Sequence, residues 1–179
     1  SEMEEVLERD ERKVRELERE IEKNLRDHKD EVRRLREDLE RVLREDEKLV
    51  RELRKKNSKD DRLAKEARER NKKLNDEVRK KLEDVRRKSE RNKEEHKRRL
   101  DEVRRDNKRL NDDLKDRNIS EELEDRMRRS SKRLEEVLRE SEERLKRSDE
   151  DLRRVIDEIR RRLEESTRRL EETIKELKD

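Results

Sequence analysis

Residue type in this chain repeats every 18 positions. In the first third, Met3, Ile21 and Leu39 share one position of the repeat, Val14, Val32 and Val50 another, and Leu17, Leu35 and Leu53 a third. The middle third follows with Ala64, Leu82 and Leu100 and with Ala67, Val85 and Val103. The last third does the same with Met127, Leu145 and Leu163 and with Leu134, Leu152 and Leu170. Eighteen residues make five turns of an undistorted α-helix. A 7-residue repeat imposes a left-handed supercoil and an 11-residue repeat a right-handed one, so this period predicts nearly straight helices. The apolar positions cover only about 100° of the helix surface, a single seam for an internal core.

Composition leaves two classes open. Of 179 residues, 65% are charged and 23% hydrophobic, with no Gly, Pro, Cys, Phe, Tyr or Trp. Such numbers fit either disorder or long packed helices. Disorder lacks a regular apolar stripe, and here the stripe runs throughout, so the expectation is helices.

The 60 basic residues nearly balance 57 acidic ones, leaving a formal charge of +3. Opposite signs alternate at spacings that suit i to i+4 pairs, so the basic pI is poor evidence for nucleic acid. Basic clusters such as Lys97, Arg98 and Arg99 are interrupted by acids nearby, and no aromatic residue exists to stack on a base. No nucleic-acid partner is expected. Residues 1–57 carry −2, 58–118 carry +7 and 119–179 carry −2, a balance that favours packing of the middle segment against the other two. No cysteine means no disulfide and no thiolate metal site. No apolar run approaches the ~18 residues of a membrane span, so a soluble protein without membrane contact is expected, in the cytoplasm of an expression host.

Without Gly or Pro, helix ends must come from caps. Asn57-Ser58 and Asn118-Ile119-Ser120 each offer an Asn suited to the left-handed region followed by a Ser N-cap. Ser58 with Asp61, and Ser1 with Glu4, are box-like pairs. These breaks predict one domain over 1–179: helix 1 about 2–56, a turn at 57–58, helix 2 about 59–117, a turn at 118–120 and helix 3 about 121–178.

Polar residues that interrupt the stripe support the same folding points. They are Asp10, His28 and Asp46 in the first segment, Asn71, Ser89 and Asn107 in the second, and Ser130, Ser148 and Ser166 in the third, each set spaced by 18. Folded antiparallel about the proposed turns, residues whose numbers add to 117 face each other across the first turn, and those adding to 237 across the second. The expected cross-sections are Asp10/Asn107/Ser130, His28/Ser89/Ser148 and Asp46/Asn71/Ser166. Asn24 near Asn92, and His96 near Ser141, enlarge the middle one. Buried polar groups cost free energy unless hydrogen-bonded, so a complete layer tolerates only the register that pairs it.

Reading these layers as a reactive or metal site meets geometric objections. His96 lies opposite residue 21, about 10 Å along the axis from His28, whereas ligands of one metal ion sit ~2 Å from it. Asp10 and Asp46 are roughly 54 Å apart along one helix and cannot act as a carboxylate pair. No glycine loop for phosphate and no nucleophile with an adjacent base is present. No enzyme activity, metal or cofactor is expected. The rival reading is a helical binding module that forms a homodimer or accepts a partner helix in a groove. A monomer that requires no partner is the expectation, because most apolar doublets, such as Val155-Ile156, arise from the 18-residue period itself.

The uniform segments, the straight-helix repeat, the Glu/Lys/Arg surfaces and the Asn, Ser, His and Asp layers resemble de novo designed, parametrically generated helical bundles with buried hydrogen-bond networks. The resemblance covers the whole chain and implies an all-α, single-chain antiparallel three-helix bundle. It also implies a structural scaffold without a natural substrate or pathway. Turns lacking Gly and Pro depart from the usual chemistry of such designs.

Overall fold

A computed structural model describes residues 2–56 and 61–179. These residues form three α-helices: α1, Glu2–Lys56; α2, Asp61–Lys115; and α3, Glu121–Lys178. Residue types of good helix propensity fill them, and no Gly or Pro interrupts them. Exposed pairs such as Arg62–Glu66 at 3.4 Å and Arg128–Glu124 at 3.4 Å link successive turns. Charge also follows the helix dipole. Glu2, Glu4 and Glu5 open α1, and Arg54, Lys55 and Lys56 close it; Glu121, Glu122 and Glu124 open α3, and Lys175 and Lys178 close it.

The expected turn at 57–58, the Ser58 cap and the start of the second helix near 59 lie outside the described residues, as does Ser1. The second turn is described. Here α2 ends at Lys115, two residues short of the expected 117. The Arg117 N–H closes onto the Leu114 carbonyl at 3.3 Å, an i to i+3 bond that tightens the chain out of α-geometry. Ser120 then caps α3: its Oγ accepts from the Leu123 N–H at 3.2 Å, and its carbonyl accepts the first intrahelical bond, from the Glu124 N–H at 3.0 Å. Ile119 between them packs on the cluster of Leu7, Leu114 and Met127.

The chain divides into two compact units, Ser1–His28 with Ser89–Asp149, and Lys29–Lys88 with Glu150–Asp179. Each contains a segment of all three helices packed as a three-helix bundle. In the first unit, Leu17, Ile21, Leu100, Leu134 and Leu138 form one apolar cluster, and Leu7, Leu114 and Met127 form another. In the second, Leu35, Leu39, Leu82, Leu152, Ile159 and Leu163 belong to the largest cluster, and Val50, Leu53, Ala64, Ala67, Leu170 and Ile174 form the other.

Ion pairs at the helix borders show the directions. In the second unit, Lys81–Asp38 at 2.9 Å and Lys88–Glu31 at 2.6 Å join residues whose numbers add to 119, and in the first unit so does Arg99–Glu20. A constant sum means antiparallel α1 and α2. Between α1 and α3 the difference is constant instead. Glu40–Arg162, Arg36–Glu158 and Glu47–Arg169 in the second unit, and Glu22–Arg144 in the first, are all offset by 122, which makes those segments parallel. Exposed pairs of this kind each contribute at most about 1 kcal/mol, so they orient the helices more than they stabilise them.

Candidate functional site

The strongest chemistry in the core lies in two polar networks, each separating the two apolar clusters of its unit. Along α1 of the second unit, Leu39 and Val42 belong to one cluster, Asp46 follows, and Val50 and Leu53 belong to the next. In the first unit Leu7, Asp10 and Leu17 run in the same order.

In the second unit Asp46 is 2% exposed, and Ser166 Oγ donates to its Oδ2 at 2.5 Å. Asn71, Asn75 and Thr167 close a triangle beside them. Asn75 Nδ2 donates to Asn71 Oδ1 at 3.2 Å and to Thr167 Oγ1 at 2.8 Å, and Thr167 Oγ1 donates to Asn71 Oδ1 at 3.1 Å. Asp46 Oδ1, Asn71 Nδ2 and Asn75 Oδ1 are buried without a partner.

The first unit holds the counterpart displaced by 36 residues. Asn107 Nδ2 donates to Asp10 Oδ2 at 3.4 Å, Asn111 Nδ2 donates to Asn107 Oδ1 at 3.3 Å, and Asn111 and Ser131 exchange bonds at 3.1 and 3.3 Å. Burial pushes the Asp10 carboxyl above its ordinary value, and the Asn107 hydrogen bond offsets part of that rise. Asp10 and Asn107 therefore meet, while no hydrogen bond joins Ser130 to either among the described residues. In the second unit the pairing is reversed: Ser166 reaches Asp46, and Asn71 does not.

Between these two arrangements in sequence, the first unit carries a different set. His96 is 3% exposed, and Asn24 Nδ2 lies 2.6 Å from its Nε2. With the amide donating, Nε2 is the acceptor and the ring is neutral with its proton on Nδ1. Burial holds the His96 imidazole below its ordinary value, against a weaker opposite pull from Glu95. His96 Nδ1 and His28 Nε2 are both buried without a partner. Ser141 is buried, and Ser89, Asn92 and Ser148 are half-buried. No hydrogen bond joins His28 to Ser89 or Ser148 among the described residues. Asn24 bonds His96 rather than Asn92, the neighbour expected from the repeat. Asn and His are long enough to bridge positions that the 117 register does not place opposite each other.

Four network members escape a reading based on identity at every repeat: Asn75, Asn111, Ser131 and Thr167. Positions 93 and 149 stand between them in the repeat and hold Lys and Asp, which form an ion pair at 3.3 Å. A search at 36-residue spacing finds Asn75 with Asn111 and Ser131 with Thr167.

Two clefts of about 230 Å³ lie between α1 and α3, one in each unit. That of the first unit runs over Asp10 and Ser130 and is rimmed by Arg15, Arg126, Arg129 and Arg133 together with Glu11 and Glu18. That of the second runs over Asp46 and Ser166 and is flanked by Leu43, Val50 and Glu165. Among the described residues no group of three or more His, Asp or Glu side chains is placed to hold a metal ion. None of the helices is long and apolar enough to cross a membrane.

No protein-family model matches the chain, and no curated protein matches it. Among solved structures it is similar to a computationally designed three helix bundle, at 19% sequence identity over 98% of this chain and 88% of that chain, with a TM-score of 0.47.

Proposed function

We propose that this chain is a designed structural scaffold whose role is to hold three helices in one register, with no natural substrate, cofactor or pathway. One observation carries this reading: an asparagine pair hydrogen-bonded to a hydroxyl, Asn107/Asn111/Ser131 and again Asn71/Asn75/Thr167, recurs beside a buried aspartate, Asp10 or Asp46, at a 36-residue displacement. A reactive centre is built at one place from unlike groups that converge on a ligand. Duplicated, mutually bonded amides and hydroxyls instead favour the alignment that pairs them, since any other buries them unpaired. The single domain, the monomeric state and accumulation as a soluble protein in an expression host belong to this proposal. A homodimer or a captured helix would need a contiguous apolar surface, and the large hydrophobic side chain exposed among the described residues is the isolated Val6, at 42%.

The test is to replace Asn71, Asn75, Asn107 and Asn111 together with Leu. The variant should melt at a higher temperature yet populate more than one species by size-exclusion chromatography and amide NMR, because burial increases while pairing information is lost. A single monomeric species with unchanged interhelical NOE contacts would refute the assignment.

A further inference from the structure

One stretch of α2 buries almost nothing. From Arg86 to Arg99 the helix carries no apolar residue, and between the buried Leu82 and Leu100 the one buried side chain is His96. The uncharged Ser89 and Asn92 of the same stretch are half-buried. About four turns of helix are therefore held to their neighbours by the Asn24–His96 bond and by exposed ion pairs such as Lys93–Asp149 and Arg99–Glu20. Segments with few buried apolar contacts are the ones that open locally.

The histidine anchors this stretch only while neutral. Its Nε2 accepts from Asn24 Nδ2, and its Nδ1 is buried without a partner. A proton on Nε2 removes the acceptor and leaves an imidazolium at 3% exposure with neither N–H bonded. Charged groups at its level stand on all three helices of the unit: Glu95 and Arg99 on α2, Glu20 and Lys23 on α1, and Glu142 and Arg144 on α3. The carboxylates are already engaged, Glu20 and Glu95 by Arg99 and Glu142 by Arg104. Burial outweighs the pull of Glu95 and holds the imidazole below its ordinary value.

We propose that residues 89–99 of α2 are an acid-released segment: a proton on His96 undocks them from α1 and α3, while the apolar clusters of the first unit stay packed. Undocking brings the ring into water, where it takes the proton and is kept out of the core by it. Asp10, joined to Asn107, acts in the opposite sense, because its raised carboxyl favours the folded form as pH falls, so it does not supply the release. The segment is independent of the scaffold reading, which concerns which residues pair and not when they part.

Amide hydrogen exchange of the full chain at pH 7.5 and at pH 5.5, corrected for the intrinsic pH dependence of exchange, tests it. The lower pH is one unit below the ordinary 6.5, so a ring protonated in the open form alone raises the opening equilibrium by about tenfold. Amides 89–99 should accordingly exchange about tenfold faster at pH 5.5, and those of 35–42 and 134–138 should change by less than about twofold. His96→Asn keeps an amide able to bond Asn24 and does not titrate, so its 89–99 amides should show no acceleration, with circular dichroism confirming that the variant is folded. Acceleration spread equally over all three helices, none within 89–99, or the same acceleration in His96→Asn would each overturn the proposal.

Discussion

The Asn24 side-chain amide lies 2.6 Å from Nε2 of His96 and donates to it, so the bond exists only while that nitrogen is unprotonated. Protonating His96 breaks the bond and places a charge where the side chain is 3% exposed.

Burial lowers the His96 pKa, so the unfolded chain takes up the proton first as pH falls. Stability should therefore be full above the ordinary value of 6.5 and decline as pH falls below it towards the depressed folded value. His96→Asn should flatten this part of a plot of thermal midpoint against pH. Asp10 works in the opposite sense. Its raised pKa means that stability is lost as pH rises from the ordinary 3.8 through the folded value. Asp10→Asn should accordingly stabilise the protein at pH 7, by about 1 kcal/mol in urea unfolding.

Two threonines, the half-buried Thr167 and the buried Thr173, separate network bonding from local bonding. Thr167 Oγ1 is bonded to both Asn71 and Asn75, so Thr167→Val strips partners from two buried amides and should cost about 2 kcal/mol. Thr173, 1% exposed, donates to the Arg169 carbonyl of its own helix. Thr173→Val leaves that carbonyl its ordinary helical environment and should cost less than about 0.5 kcal/mol. Chemical denaturation of the two variants checks the difference.

Adjacent positions on α1 should respond very differently to the same residue. Leu35 is 3% exposed within the largest apolar cluster, and Leu35→Asp should cost at least about 4 kcal/mol. Arg36 is exposed and lies 3.8 Å from Glu158, so Arg36→Asp should cost about 1 kcal/mol or less. Equal thermal midpoints would contradict the assignment of the apolar seam.

The cap at the start of α3 provides a local test. Ser120→Ala removes the acceptor for the Leu123 N–H and should destabilise by about 1 kcal/mol, whereas Ser120→Asp should restore most of it. Hydrogen exchange of the Leu123 amide should accelerate in the alanine variant only.

The helices were legible because the 18-residue period spaces core residues evenly, and residues such as Leu39, Leu82 and Leu163, all buried in one cluster, follow it. The meeting of Asp10 with Asn107 and of Asp46 with Ser166 was legible in the same way. Their finer bonding was not. Ser130 and Ser166 hold the same repeat position, yet only Ser166 is joined to its aspartate, because one repeat position allows several rotamers and the neighbouring polar atoms compete for them. The Asn75–Thr167 bond was hidden for another reason: Lys93 and Asp149 break residue identity midway. The lengths of Asn and His side chains, not the backbone register, decide the Asn24–His96 bond.

The Lys93–Asp149 pair gives the chain a longer arithmetic than its helices have. Backbone and apolar seam recur every 18 residues, so a helix slid by one repeat would still set apolar side chains against each other along the remaining two-thirds or so of its length. After such a slide, Asn75 or Asn111 would face Asp149, and Lys93 would face Ser131 or Thr167. Alternating amide and ion-pair positions double the period and remove that degenerate alignment. The next coincidence requires a slide of 36 residues, which leaves most of a helix unpaired. Misfolding by translation is thereby converted from a near-neighbour state into a distant one, at the expense of interrupting the core.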